Sequence, residues 1–341
     1  MKEKKFISII IPCYNVEEYI ARCYESLVSQ KNADDVEFIF INDGSKDNTL
    51  SILQKIKTND NRVVLINQDN QGVSAARNNA LNIIRGEFVY LLDGDDYLPD
   101  KVIDTLKSIV SIYQPEVIVP AYNISKNGIE TFVPFSIEEG LYDKYELFKK
   151  IDNFPTANQL IYRSDIIHRY KLSFDVKIKC GEVYAFTINY FKYINFVYIL
   201  NKPCFNYFQR SNSATHSINY FNDVSVRYAI DSLYIHGKDL VGYGSFVVTA
   251  FKLWIYFTYL KYAHFKYTKE AEEAIVCMLS CNMIKKNIKD IILVKHDSIK
   301  NRILAMYIYL MPKRLGFLLL NHLLMCRSKL FYKKKMGNDK S

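Results

Sequence analysis

Short apolar runs alternate with amphipathic segments throughout the first 122 residues of the chain. Apolar runs bounded by turn residues are typical of buried strands, and the segments between them repeat apolar residues at helical spacing. This alternation predicts an α/β fold, in which helices cover a mostly parallel sheet. The predicted strands cover residues 6–12, 36–42, 62–66, 87–93 and 116–121, and the predicted helices lie near 16–27, 50–56 and 102–113.

The composition indicates a folded chain with more than one part. Hydrophobic residues make up 49% and charged residues 24% of the 341 positions, which suffices for one large domain and an appendage. The strand pattern weakens after about residue 122, and beyond residue 220 the sequence becomes helical in character. We therefore predict a first domain over residues 1–220 and a helical, basic, aromatic-rich region over residues 221–341.

The second region contains two apolar stretches, at residues 303–312 and 315–326. Each is shorter than the roughly 20 residues that cross a bilayer, and Pro312, Lys313 and Arg314 separate them. A basic, apolar segment of this kind either lies on an anionic membrane surface or packs as a buried bundle. The sequence leaves both alternatives open.

The seven cysteines are scattered, and none forms a Cys-x-x-Cys pair. An odd number without such pairs is typical of reduced thiols in a cytosolic protein. The apolar run at residues 6–12 follows a basic start, but it is too short for a secretory leader and ends at a proline. The expected location is therefore the cytoplasm.

Missing motifs argue against several other classes of protein. No Gly-x-Gly-x-x-Gly follows the first strand and no Gly-x-x-x-x-Gly-Lys-Ser/Thr loop occurs, which disfavours dinucleotide-dependent dehydrogenases and P-loop enzymes. The basic residues gather in the apolar tail and match no DNA- or RNA-binding motif. No nucleic-acid partner is expected.

An acidic cluster, Asp93-Gly94-Asp95-Asp96, stands at the end of the fourth predicted strand. Carboxylates this close repel one another unless a cation is present. Oxygen ligands of this type suit Mg²⁺ or Mn²⁺. The alternative is an ordinary turn, in which Asp96 caps the following segment.

Four motifs occur in order within the first third of the chain. They are Pro12-Cys13-Tyr14-Asn15, Asn42-Asp43-Gly44-Ser45-Lys46-Asp47-Asn48-Thr49, Asn70-Gln71-Gly72 with Ala76-Arg77-Asn78, and Leu92-Asp93-Gly94-Asp95-Asp96. Residues 6–100 thereby resemble the inverting GT-A glycosyltransferases of family two, the bacterial surface-polysaccharide type included. The resemblance implies a Rossmann-like GT-A fold, with the ligand beyond the carboxyl ends of the parallel strands.

The resemblance also implies a site for a UDP-sugar donor. Tyr14 would lie against the nucleobase, and Asp43 would accept a hydrogen bond from the uracil ring N–H. Arg77 would reach the sugar or the diphosphate, unless it forms only a surface salt bridge. Asp93 would hold the ribose, and Asp96 would either approach the donor sugar or support the loop. The donor-binding residues implied are Pro12, Tyr14, Asn15, Asp43, Arg77, Asp93, Gly94, Asp96 and Arg210.

A divalent cation, Mn²⁺ or Mg²⁺, belongs to the implied donor site. Asp95 would ligate it, and the cation would act as a Lewis acid on the departing diphosphate. Residues 207–216 resemble the family's closing loop, in which Arg210 would pair with phosphate and His216 would complete the metal shell or touch the diphosphate. A purely structural His216 is the alternative.

The catalytic base is expected in a Glu-Asp pair of the family, and its nearest match here is Glu182-Val183. The glutamate is present, but valine stands at the aspartate position. Either Glu182 takes the proton, or a neighbouring acid such as Asp175 does, or the site is impaired. Glu182 as an ordinary solvated carboxylate is a further alternative.

These features together predict a metal-assisted, inverting hexosyl- or N-acetylhexosaminyltransferase. It would move one sugar from a UDP donor to a lipid-linked or surface-glycan acceptor, as in capsule or lipopolysaccharide synthesis, at the inner face of the cell membrane. The alternative function is a glycosyltransferase-like binding or scaffold protein that has lost turnover, as Val183 suggests.

Overall fold

The computed structural model describes residues 3–150, 160–179 and 181–209. The predicted domain boundary at residue 220 and the whole of the predicted helical region lie outside these residues. So do Arg210 and His216.

The described residues form a nine-stranded sheet with helices on its faces. The strands are β1 Lys5–Cys13, β2 Val36–Asp43, β3 Val63–Gln68, β4 Gly86–Leu91, β5 Val117–Lys126, β6 Ile129–Val133, β7 Gly140–Asp143, β8 Ile161–Arg163 and β9 Phe196–Phe208. The helices are α1 Ile20–Val28, α2 Thr49–Asn59, α3 Val73–Leu81, α4 Val102–Tyr113, α5 Lys144–Lys150, α6 Ser164–Arg169 and α7 Glu182–Phe191.

The strand order is β3-β2-β1-β4-β8-β5-β9-β7, with β6 paired to β5. The first four strands are parallel to one another. The chain proceeds outward from β1 to β3 and then returns to place β4 on the other side of β1. The strand order therefore reverses between β1 and β4, and ligands of open α/β sheets bind at the carboxyl ends of strands at such a point.

Burial explains why these segments become strands and helices. All eight residues of β2 are buried, as expected for a parallel strand covered on both faces. Helix α1 turns Ile20, Cys23 and Leu27 toward a core that includes Ile9 and Phe40. Truncating Leu27 to alanine would cost about 2–5 kcal/mol of folding free energy, since it would leave a cavity in this core.

The predicted α/β class is confirmed, and the first four strands occur where the sequence places them. The later part of the sheet is mixed, because β8 runs antiparallel to β4 and β5, and β6 and β7 are also antiparallel to their partners. Strand β9 extends beyond the predicted segment 196–200. It stays paired with β5 past Pro203 through register shifts around Ala121.

None of the helices in the described part combines the length and the apolar character that crossing a bilayer requires.

Candidate active site

The loops that follow β1 and β2 are hydrogen-bonded to each other at the carboxyl edge of the sheet. Asn15 has a left-handed backbone (φ 51°), and its Oδ1 accepts a hydrogen bond from the N–H of Lys46 at 2.8 Å. The N–H of Asn15 donates to Ser45 Oγ at 3.1 Å, and that of Val16 donates to Thr49 Oγ1 at 2.9 Å. The first two motifs therefore form one surface, on which the ring of Tyr14 is 46% exposed.

Asp43, at the end of β2, organises the turn that precedes α3. Its Oδ1 accepts hydrogen bonds from Gln68 Nε2 at 2.8 Å and from the N–H of Gln71 at 2.9 Å. Its Oδ2 accepts one from the N–H of Gly72 at 2.9 Å, where a φ of 89° favours glycine. A carboxylate offers about four acceptor sites, so these three donors leave room for a further N–H. Sequence reasoning missed this ordering role.

Arg77 of α3 connects two acidic residues that are far apart in the sequence. Its Nη1 donates to Glu182 Oε1 at 2.8 Å, and its Nη2 donates to Asp93 Oδ1 at 3.0 Å. Arg77 is only 2% exposed, so the alternative of a surface salt bridge is wrong. The guanidinium also lies 5.4 Å from the centre of the Phe174 ring.

Glu182 is the first residue of α7 and follows Gly181, whose φ of 82° is left-handed. It is 8% exposed and paired with Arg77, which contradicts the alternative of an ordinary solvated carboxylate. Val183 is buried beside it. The hydrogen bond from Arg77 goes to Oε1 of Glu182.

Asp175, the second candidate for the base, lies in the segment between α6 and α7. It is exposed, and its Oδ1 accepts a hydrogen bond from the N–H of Lys177 at 2.9 Å. Within the described residues, no hydrogen bond or ion pair joins Asp175 to Arg77, Asp93 or Glu182.

Asn78 fixes the segment that carries Asp175. Its Nδ2 donates to the carbonyl of Phe174 at 2.9 Å, and its Oδ1 accepts from the N–H of Phe174 at 2.8 Å. The Phe174 ring stacks on Phe186 of α7 at 4.3 Å. The Ala-Arg-Asn motif thus places both the guanidinium of Arg77 and the segment leading to Glu182.

The acidic cluster lies against the end of β1. A Cβ added at Gly94 would be 3.1 Å from the carbonyl oxygen of Pro12 and 3.3 Å from Cys13 Sγ, so the loop packs tightly against the end of β1. Asp93 and Asp95 are partly exposed, whereas Asp96 is buried. Asp96 Oδ1 accepts a hydrogen bond from the N–H of Phe208 at 2.9 Å, and of its two predicted roles this contact favours support of the loop.

Arg22 of α1 is a site residue that sequence reasoning missed, since it belongs to none of the four motifs. Its Nη2 donates to the backbone carbonyl of Asp95 at 2.9 Å. Its guanidinium lies between two aromatic rings, 4.6 Å from the centre of Tyr97 and 4.0 Å from that of Phe208.

The donor atoms of the acidic cluster fit a hard divalent cation. No group of three or more His, Cys, Asp or Glu side chains in the described part of the chain converges as a complete metal site. Mg²⁺, however, is usually held by one or two carboxylates together with substrate phosphates, and Asp95 offers such a carboxylate.

Burial, and then the nearby Cys23, Asp95 and Asp93, raise the pKa of the Cys13 thiol well above its ordinary value. Cys13 is therefore a neutral thiol and a poor metal ligand.

Most of the predicted site residues meet at one edge of the sheet. They lie at the ends of β1 and β2, on the loops that follow β1 and β4, in α3 and at the start of α7, and they are Pro12, Tyr14, Asn15, Asp43, Arg77, Asp93, Gly94, Asp95, Asp96 and Glu182. Arg77, Asp93, Glu182 and the acidic loop thus lie at the switch point of a Rossmann-like sheet, which is the arrangement that the resemblance to GT-A glycosyltransferases predicts.

The comparison with known protein families gives the same class. Residues 8–167 match the model of glycosyl transferase family 2. The uncharacterized glycosyltransferase EpsJ of Bacillus subtilis (strain 168) is 29% identical over 216 residues, which are 61% of this chain and 62% of EpsJ. A chondroitin synthase of Escherichia coli is 44% identical over 103 residues, which are 30% of this chain and 15% of that protein. The matches thus span less than two thirds of the length of these relatives.

A solved structure confirms the GT-A fold. S. aureus TarS (residues 1–349) in complex with UDP-GlcNAc superimposes with a TM-score of 0.68 at 19% identity. The superposition covers 91% of this chain and 88% of the TarS chain.

Proposed function

We propose that the protein transfers a single hexosyl or N-acetylhexosaminyl group from a UDP-sugar to a glycan or lipid-linked acceptor, with inversion and with a divalent cation. The observation that carries the proposal is the buried bridge from Arg77 to Asp93 and Glu182, at the edge where β1, β2 and β4 end. The UDP-GlcNAc complex of TarS supports a UDP-sugar as the donor class. The similarity to a chondroitin synthase supports a glycan acceptor, and the kind proposed is a surface polysaccharide such as capsule or lipopolysaccharide.

The nucleotide half of the donor is assigned to Tyr14 and Asp43. The exposed Tyr14 ring offers a face on which a base can stack. Asp43 has acceptor capacity left for a ring N–H, which uracil provides and cytosine does not. The partly exposed carboxylate of Asp93, oriented by Arg77, is assigned to the ribose. Pro12, Asn15 and Gly94 shape the backbone around the nucleotide.

The diphosphate half of the donor is assigned to Asp95, with Arg210 and His216 proposed as further ligands of phosphate and cation. Mn²⁺ or Mg²⁺ bound there supplies Lewis-acid stabilisation of the negative charge on the departing UDP. Asp95 holds the cation, while Asp96 keeps the loop in place through Phe208.

Glu182 is assigned as the base, and its Oε2 receives the proton of the acceptor hydroxyl. The hydroxyl oxygen attacks the anomeric carbon from the face opposite UDP, the bond from that carbon to the UDP oxygen breaks, and Oε2 takes the proton. Arg77 holds the other oxygen at 2.8 Å and thus fixes the direction of the carboxylate. Asp175, exposed in the neighbouring segment, is the alternative base.

A second candidate function is a glycosyltransferase-like protein that binds nucleotide sugars without turnover. Two observations favour it: the buried Val183 at the expected base position, and the ion pair that engages Glu182. The two candidates differ in turnover and not in binding.

A panel of nucleotide sugars with Mn²⁺ distinguishes the two candidates. The transferase hypothesis predicts slow hydrolysis or transfer with at least one UDP-sugar, abolished in Asp95→Ala. Tight UDP binding without turnover of any donor would favour the binding protein. Absence of both binding and turnover would contradict both candidates.

We further propose that the protein works in the cytoplasm at the inner face of the cell membrane, where lipid-linked acceptors reside. The basic and apolar composition of residues 221–341 supports this location.

A further inference from the structure

Arg22 reaches the acidic loop from a helix that lies outside every motif of the donor site. Its hydrogen bond goes to the backbone carbonyl of Asp95 at 2.9 Å, so it acts on the backbone position of that residue. Its planar guanidinium fills the space between the rings of Tyr97 and Phe208. A guanidinium stacked on aromatic faces is held by cation–π attraction and by its shape.

The same loop is attached to the end of β9 by two further hydrogen bonds. The N–H of Phe208 donates to Asp96 Oδ1 at 2.9 Å, and the N–H of Asn206 donates to the carbonyl of Tyr97 at 2.8 Å. Arg22 contacts both partners, since it bonds to Asp95 on the loop and stacks on Phe208 of the strand. The guanidinium of Arg22 thus links α1 to both the acidic loop and the end of β9.

Folding alone does not explain an arginine at this position. Within the described residues, Arg22 Nε is buried without a hydrogen-bond partner. A buried N–H without a partner costs free energy that an apolar side chain in the same space would avoid. Arg62 differs, although it too lies over an aromatic ring. Its Nε and Nη2 both donate to Asp60, at 3.0 and 2.8 Å.

We infer that Arg22 is a positioning residue of the donor site. By fixing the Asp95 backbone against the end of β9, it sets the direction from which the Asp95 carboxylate meets the cation and the diphosphate. The inference rests on the proposed function, because it assumes that Asp95 binds a cation together with UDP. It adds a residue that none of the four motifs contains.

The test compares the wild-type chain with Arg22→Lys, which keeps the charge but lacks the planar fork. Calorimetry measures the affinity for UDP with Mn²⁺ and with chelator, and the affinity for uridine, which lacks the diphosphate. We expect Arg22→Lys to reduce the Mn²⁺-dependent gain in UDP affinity about tenfold, the usual effect of losing one charged hydrogen bond. Its affinity for uridine should stay within about twofold of the wild-type value, since that affinity depends on the nucleobase pocket.

Two further variants separate positioning from general stability. Phe208→Leu removes one of the two rings that enclose Arg22 but keeps the backbone N–H that binds Asp96. It should therefore weaken the same Mn²⁺-dependent gain through Arg22 alone. Arg62→Lys, the matched control at the opposite edge of the sheet, should lower only the unfolding temperature. In Arg22→Lys, amide hydrogen exchange of residues 93–98 and 206–208 should accelerate in the absence of any ligand.

If Mn²⁺ raises the UDP affinity of the wild-type chain and of Arg22→Lys equally, the inference about Arg22 is wrong, whereas the proposed function stands. A parallel loss of uridine affinity would also overturn the inference, since it would indicate a general disturbance of the fold. A wild-type chain that binds UDP equally well with Mn²⁺ and with chelator would contradict the metal step of the proposed function, and this inference with it.

Discussion

Arg77 and Glu182 form a buried ion pair at 2.8 Å, although 105 positions separate them in the sequence. The same guanidinium holds Asp93, the first residue of the acidic cluster. This bridge therefore joins the proposed ribose contact to the proposed base. Both assignments can be tested separately from the stability of the bridge.

The first prediction concerns the base. Glu182→Gln keeps an oxygen for Arg77 but cannot take a proton, so kcat should fall by about 10²–10⁴-fold while UDP affinity stays nearly constant. Asp175→Asn should leave kcat within about twofold of the wild-type value, because an exposed residue outside the catalytic cluster contributes little. Steady-state kinetics and calorimetry provide the two readouts. The opposite pattern, with only Asp175→Asn inactive, would move the base to Asp175.

The second prediction concerns the stability of the Arg77 bridge. Arg77→Met leaves Asp93 and the buried Glu182 without their cation, and breaking a buried ion pair in this way costs about 3–5 kcal/mol. Arg169→Met is the matched control, because Arg169 pairs with Asp165 at the surface with 65% of its side chain exposed. Its loss should cost less than about 1 kcal/mol. Urea unfolding of the two variants makes the comparison, and equal losses would refute the assigned burial.

A third prediction concerns Asp43. Asp43→Asn replaces one acceptor oxygen by a donor NH₂ group. This group would face another donor, either the N–H of Gln71 or Gly72 or that of the nucleobase, and one hydrogen bond would be lost. We expect UDP affinity to fall about 10- to 100-fold, as for the loss of one or two hydrogen bonds to a carboxylate. Asp60→Asn is the control, since Asp60 is also buried and hydrogen-bonded but precedes β3 at the opposite edge. It should reduce stability without changing UDP affinity.

A fourth prediction concerns the cation. UDP at 100 times its dissociation constant should stabilise the fold by about 2.7 kcal/mol, and at one UDP concentration the shift should be larger with Mn²⁺ than with chelator. Asp95→Ala should abolish the difference between the two conditions, whereas Asp100→Ala, at an exposed position beyond the cluster, should retain it. Thermal unfolding measures both. No metal-dependent shift with UDP, GDP, CDP or dTDP would rule out the proposed donor site.

The fifth prediction concerns residues 303–341. Removing them should reduce sedimentation with anionic vesicles and should leave the weak binding to neutral vesicles unchanged, because basic residues contribute about 1 kcal/mol each near an anionic surface. The full chain in high salt is the control, since screening should weaken the same interaction. Undiminished binding of the shortened chain would leave the buried bundle as the interpretation of this region.

The hydrophobic pattern of the sequence predicts the first half of the fold well, because β1, β2 and β4 are apolar runs that are buried in the sheet. It fails for α3, whose buried positions include Ser74 and Arg77. Polar residues are buried there because they bind Asp93, Glu182 and the segment before α7, so the helix lacks an apolar stripe. A hydrophobic pattern cannot detect such a helix.

The candidate site is predictable only as far as its motifs reach. Asp43 and Asp95 are recognisable from local sequence, since each follows a strand within a motif. The pairing of Arg77 with Glu182 and the placement of Arg22 beside Asp95 depend on contacts between distant segments. No spacing rule connects those positions, because the fold alone brings them together.

Asp43 has two roles, one in the fold and one proposed in nucleotide binding, and together they constrain the engineering of nucleotide preference. The carboxylate proposed to read the base also orders the turn that begins α3, so a substitution chosen for a new base would disturb the helix that carries Arg77. A redesign toward guanine or cytosine donors would therefore begin at Tyr14, whose ring is exposed beside the same surface. Directed evolution of donor choice should accumulate its first changes there and leave Asp43 untouched.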